Sequence, residues 1–197
     1  MKSRNFKRYA QQGFTLIELG VVVAIIGVLI AILAPSLLGT TDGSKAQNYF
    51  SSAHKIASNW MMLNQTAGTS TTVSGNPVIG GGNTVEDVLF SGGSAVSANY
   101  LAAYNRSKIL PLNEVGRPST SGGWEIDGAK VSVSGGGTSP LQVTYANVPD
   151  TIVLAMVQKY SNTTTALNSG GATVSAQMAY GPVSNGVATV TLYKTVN

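Results

Sequence analysis

Sixteen consecutive residues, Leu19 to Ala34, are aliphatic, Ala or Gly, and a single acid, Glu18, sits at their edge. No further charge occurs before Asp42. Wound as a helix at about 1.5 Å per residue, residues 19–39 reach roughly 30 Å, the thickness of a bilayer's hydrocarbon core. A carboxylate at the margin of hydrocarbon is costly unless something partners it. Glu18 is therefore a functional candidate rather than decoration.

The charge balance narrows the partners. Twelve Lys and Arg against eight Asp and Glu give a formal net charge of +4 and a pI near 9.4. Lys2, Arg4, Lys7 and Arg8 all precede Gly13, which leaves eight basic and eight acidic residues in the remainder. The basic excess belongs to the first 13 residues, so bulk charge gives no support to nucleic-acid binding. Positive residues next to a spanning segment mark the cytoplasmic side, which places the bulk of the chain outside. A length of 197 residues fits one globular domain with an appendage. With no Cys, disulfides, thiol catalysis and Cys-based zinc sites are excluded together.

The junction itself reads Gly13-Phe14-Thr15-Leu16-Ile17-Glu18 against that basic head. It resembles the class III signal of type IV prepilins and pseudopilins. The resemblance is specific over residues 7 to about 42, looser to about residue 65, and absent from the rest. It implies that a prepilin peptidase cuts after Gly13, that the new N-terminal Phe14 is N-methylated, and that Glu18 is the assembly acid. On this reading Glu18 pairs with the Phe14 amine of a neighbouring subunit. Pro35 matches the family's helix-breaking Pro within the apolar segment. The second stem Pro of many pilins has no counterpart, and the family's C-terminal disulfide loop is missing.

Two rivals read the same residues differently. A secretory signal would be cut after the apolar core, here after Ala34, but such a core rarely starts with an acid or spans a bilayer. An uncleaved anchor leaves the compound motif unexplained.

Pattern and resemblance together give an α+β chain: a long N-terminal helix, apolar in its spanning half and amphipathic in its second half, packed on an antiparallel β-sheet head. The expected parts are a cleaved leader (1–13), a transmembrane or fibre-core helix (14–39), an amphipathic helix on the head (40–66) and a β-rich head (67–197). Within the first helix Gly20, Ala24, Gly27, Ala31 and Ala34 recur every three or four residues, a small-residue face that allows close helix approach. Pro35 lacks a backbone donor and crowds the carbonyl of Ala31, so a kink or a melted turn is expected over residues 31–35. From residue 44, Ala46, Tyr49, Phe50, Ala53, Ile56, Ala57, Trp60 and Leu63 form a stripe of helical period that should face the sheet. Residues 67–83 read as loop, 84–90 and 97–107 as short helices. Strands are expected at 124–127, 129–134, 141–148, 173–179 and 187–196, with an Asp127-Gly128 hairpin turn and a helix capped by Asp150 running to about Tyr160.

The head offers no set of catalytic residues. His54 is the sole His and falls on the flank of the amphipathic helix. Glu86-Asp87 reads as a solvated helix start, and Glu125 with Asp127 as a hairpin edge rather than a cation site. The triplets Gly80–Gly82 and Gly135–Gly137 read as flexible loops without phosphate-binding spacing. Tyr100, Tyr104, Trp124 and Tyr145 are expected in the core. No cofactor, metal site or enzymatic activity is expected. The function expected is that of a structural subunit, the major pilin, of a type IV pilus. Its implied partners are copies of itself in a helical filament, the peptidase, and an assembly platform and motor. It would lie in the cytoplasmic membrane, head outside, before assembly, and in an extracellular fimbrium after. A type II secretion pseudopilin or a minor pilin shares the motif, and a membrane-anchored periplasmic enzyme or binding domain would need a site the head does not show.

Overall fold

The eight residues of the second-half stripe set the architecture. In a computed structural model all of them, from Ala46 to Leu63, are buried, along one side of helix α1 (Leu16–Ala67). The structure describes residues 15–161 and 166–195, and of residues 33–40 the backbone alone. Two units divide the chain, Met1–Thr41 and Asp42–Asn197. In the first, the backbone stays helical through Pro35. Of the two outcomes expected there the melted turn is absent, since a helix can pass a Pro by forgoing one hydrogen bond.

In the second unit the stripe packs on a seven-stranded antiparallel sheet of order β1-β2-β3-β4-β7-β6-β5. The strands are β1 (Arg117–Pro118), β2 (Trp124–Ile126), β3 (Ala129–Gly135), β4 (Leu141–Pro149), β5 (Ala172–Ser175), β6 (Met178–Tyr180) and β7 (Val187–Lys194). Helices α2 (Val85–Ser91) and α3 (Leu101–Ser107) lie between α1 and the sheet in sequence, and α4 (Asp150–Gln158) follows β4. The α+β architecture expected from the sequence is the one observed. Period-two burial gives β3, β4 and β7 one core face: Val131 and Val133, Leu141, Val143 and Tyr145, Val190 and Leu192. Where β4 passes Tyr145, Ala146 and Asn147 oppose one residue of β7, and Asn147 takes φ 63°. This bulge returns Val148 to the core side.

Several expectations need correction. The single strand over 173–179 is two, β5 and β6, paired as a hairpin through Ala176-Gln177. β1 has too few residues to show a period. α4 is preceded by Pro149 without a side-chain cap, so Asp150 opens the helix as a first-turn acid rather than as its cap. The Asp127-Gly128 turn does form, with φ 49° and 84° in a two-residue hairpin connection.

Gly135–Gly137 is not a loose loop. The strap that follows α1 lies against it: Val73 N–H donates to Gly135 O (2.9 Å) and Gly137 N–H to Thr71 Oγ1 (3.0 Å). A Cβ on Gly136, whose φ is +84°, would meet Thr71 O at 2.1 Å. The strap is held at its other side by buried Asn64, which accepts from Thr69 Oγ1 (2.7 Å) and Asn76 Nδ2 (2.9 Å). Asn76 in turn donates to Ser70 O and Thr72 O, at 2.8 Å each. A polar, aperiodic segment is thus ordered by hydrogen bonds rather than by apolar burial.

Glu86 is buried, not solvated, and accepts Val133 N–H at 2.5 Å, where β2 has ended and β3 would otherwise leave a donor unpaired. Asp87 closes a capping box with Thr84 and accepts Trp124 Nε1 at 2.9 Å. Burial raises its pKa, but the bonds from the Trp124 indole and from Thr84 outweigh this and hold the carboxyl below its ordinary value.

Two outcomes test this account of the head. Gly136→Ala should cost about 1–3 kcal/mol, from strain and the lost close approach, and lower the urea midpoint. Gly81→Ala, which meets nothing within 4 Å, should leave the midpoint unchanged. Because the folded pKa of Asp87 lies below its unfolded value, its contribution is complete above the ordinary carboxylate range and is lost as pH falls through the folded value. The stability gap between wild type and Asp87→Asn should therefore shrink as urea melts are taken to acid, and a gap independent of pH would contradict the assignment.

Candidate functional site

Helix α1 begins inside the junction motif, at Leu16. Thr15 is its N-cap: its backbone N–H and its hydroxyl both donate to Glu18 Oε2 (2.8 Å each), and Glu18 N–H donates back to Thr15 Oγ1 (3.3 Å). Leu19 N–H completes the first turn on Thr15 O (3.2 Å). This is a capping box, Thr-x-x-Glu ahead of an apolar run. That signal was legible at residues 15 and 18, but the spacing was absorbed into the junction motif and its local role went unread. Glu18 therefore has two capacities. Oε2 is occupied by its own helix start, while Oε1 has no protein partner among the described residues. An ionised carboxylate offers about four acceptor sites, so capping leaves room for a cation.

Gly13 and Phe14, the expected cleavage, methylation and pairing residues, lie outside the described residues. Gly20, Ala24, Gly27 and Ala31 are exposed on α1, and a Cβ built on Gly20 or Gly27 meets nothing within 4 Å. At about 100° per residue the four share one face. Around them every large apolar residue from Leu16 to Ile32 is 48–89% exposed. The described side chains of this stretch supply about 26 Å of apolar helix, against roughly 30 Å of hydrocarbon. Among the described residues no helix is long and apolar enough to cross a membrane.

Polar contacts tie the elements of the head together. The Tyr145 and Tyr49 rings meet with centroids 4.8 Å apart, tilted by 60°, and Tyr145 OH bonds Ser52 Oγ (2.8 Å) and donates to Tyr49 O (3.1 Å), tying α1 to β4. Burial, with the Asp127 carboxylate, pushes the Tyr49 phenol up to about 12, and burial pushes Tyr145 up as well. Both stay neutral at physiological pH. Tyr104, Trp124 and Tyr145 are core residues as expected, and Tyr100 is half-buried against the core. Glu125 is held by Ser119 Oγ and Asp127 by Asn48 Nδ2 (2.6 Å). No group of His, Asp or Glu among the described residues could hold a metal ion. His54 is exposed.

Residues 8–34 match the family model of the prokaryotic N-terminal methylation motif. No curated protein and no solved structure matches the chain. Residues 8–34 thus carry the N-terminal methylation motif, similar to the class III signal of type IV pilin-like prepilins and pseudopilins. It points to a structural subunit rather than an enzyme.

Replacing Thr15 by Val keeps the backbone donor and the shape but removes the hydroxyl from both bonds. The loss should be about 1 kcal/mol of helix start, seen as roughly fivefold faster amide exchange over residues 17–19 in detergent. Unchanged exchange would show that the capping box does not hold this end.

Proposed function

We propose that the chain is the major structural subunit of a type IV pilus, held in the cytoplasmic membrane until its leader is removed and then stacked into a helical fibre. The observation that carries this reading is the exposure of every large apolar side chain from Leu16 to Ile32. In water such a surface aggregates, since each Val, Leu or Ile left uncovered forgoes about 1.5–3 kcal/mol. It is at rest only in lipid or among like helices. The reading takes residues 33–39 as the remainder of the span before assembly.

Peptidase cleavage after Gly13 frees the amine of Phe14, which is then N-methylated and keeps its charge. In the fibre this ammonium meets Oε1 of Glu18 on an adjacent subunit, while Oε2 stays on Thr15. The pair offsets the cost of two charges in an apolar core and sets axial register, because a slip of several ångströms separates both. Gly20, Ala24, Gly27 and Ala31 let neighbouring helices approach closely. Pro35 is the place where the helix yields as the subunit leaves the bilayer. An assembly platform and motor supply the work, and the heads tile the outside. Pseudopilins and minor pilins carry the same motif; a major pilin differs in being the main protein of sheared surface fibres.

Mass spectrometry of the mature protein should find a chain starting at N-methylated Phe14, and an intact Met1 would rule out the assembly route. Glu18→Ala should be cleaved normally yet be missing from sheared fibres, at a level at least about tenfold below wild type, given the cost of an unpaired buried ammonium. Wild-type incorporation of Glu18→Ala would show the pairing to be dispensable.

A further inference from the structure

One cavity of the head, of about 320 Å³, is lined by six residues with polar side chains: His54 and Ser58 from α1, Gln177 from the β5–β6 turn, Tyr193 and Lys194 from the end of β7, and Thr195 just past it. None of the six makes a side-chain hydrogen bond or ion pair within the protein among the described residues. Among the described residues no buried polar side-chain atom lacks a partner; these six instead face solvent, His54, Gln177 and Thr195 exposed and Ser58, Tyr193 and Lys194 half-buried. No Asp or Glu lines the cavity.

Lys194 is the least expected of the group. Ala188, Val190 and Leu192 are the buried row of β7, and Lys194 continues that row by the period of two, opposite wholly buried Leu141 of β4. Lys194 pairs with Leu141 on the β4 side, while the β6 pairing ends at Leu192, so Lys194 closes its row just beyond the last β6 partner. Burial pulls its ammonium below the ordinary lysine value, as expected for a cation partly out of water. The other wall is apolar, built from Ala57, Met61, Pro140 and Ala176.

A cation without an Asp or Glu beside it, the further donors His54, Ser58 and Gln177, and a compact apolar wall define the chemistry of a ligand. The volume is at the lower end of small-molecule sites, which combine an apolar lining with a few converging polar groups. We propose that this cavity binds a small organic acid, its carboxylate at Lys194 among the donors of His54, Ser58 and Gln177 and its apolar body against Met61 and Pro140. The site belongs to the head and is independent of how the chain assembles.

The test uses the full processed chain, unassembled in detergent, titrated with benzoate, with benzyl alcohol as a neutral isostere and with inorganic phosphate as an anion lacking an apolar body. His54 is the sole His, so its ring gives one set of imidazole NMR signals at the site. Benzoate should shift these signals saturably, with a dissociation constant of about 1 mM or tighter. Benzyl alcohol and phosphate should bind at least about tenfold more weakly. Lys194→Gln should weaken benzoate by tenfold or more without moving the urea midpoint. Gln177→Trp, a change at an exposed turn residue, should block the cavity and abolish the shift in a chain that stays folded. Absence of a saturable shift, phosphate binding as tightly as benzoate, or wild-type binding by a folded Lys194→Gln or Gln177→Trp chain would each overturn the assignment.

Discussion

One helix with two surfaces imposes everything else on this chain. Its second half is apolar on one side, and the head's sheet covers that side with residues from five strands. Its first half is apolar all round, and no part of the described chain buries it: from Leu16 to Ile32 the large side chains stay open. A surface of that kind needs an external apolar partner, because the hydrophobic cost scales with area and cannot be relieved by local rearrangement. Lipid and other copies of the same helix are the two partners of matching chemistry. A subunit that passes from one to the other keeps its apolar surface covered throughout.

Glu18 is the exception inside that surface, and its geometry reconciles two demands. A helix start leaves four backbone donors unsatisfied, a severe cost away from water. The capping box with Thr15 meets part of that cost within the chain. The remaining carboxylate oxygen is what a partner's charge would use. The same side chain can thus serve the isolated subunit and the assembled one without changing its helix.

The head is built on a different economy. Most of its described acids are satisfied by neutral donors: Glu86 by a strand N–H, Asp87 by an indole and a threonine, Glu125 by a serine and Asp127 by an asparagine. With no disulfide available, order in the Gly- and Ser-rich strap comes from Asn64 and Asn76 and from a glycine turn that lets two backbones touch. These features explain what could be read in advance. The α1 stripe from Ala46 to Leu63 was visible because helical period and burial coincide, and the Asp127-Gly128 turn because its residues demand positive φ. Glu86 was misread because its burial depends on where β2 stops, a long-range fact. Gly136 looked like slack because the strap it touches is over 60 residues away. The β5–β6 hairpin escaped because its turn residues, Ala176 and Gln177, carry no turn signal. At the helix start the reverse happened: a strong motif at residues 13–18 hid a simple local one at residues 15 and 18.

The most direct measurement is a helical reconstruction of sheared fibres by electron cryo-microscopy, at a resolution that shows side chains. The expected result is a core of residues 14–39 in which each Phe14 amine lies within about 4 Å of the Glu18 carboxylate of a different copy, with Thr15 still bonded to its own Glu18. A fibre whose core is built from other residues, or in which Glu18 meets only Thr15 while the amine lies elsewhere, would contradict it.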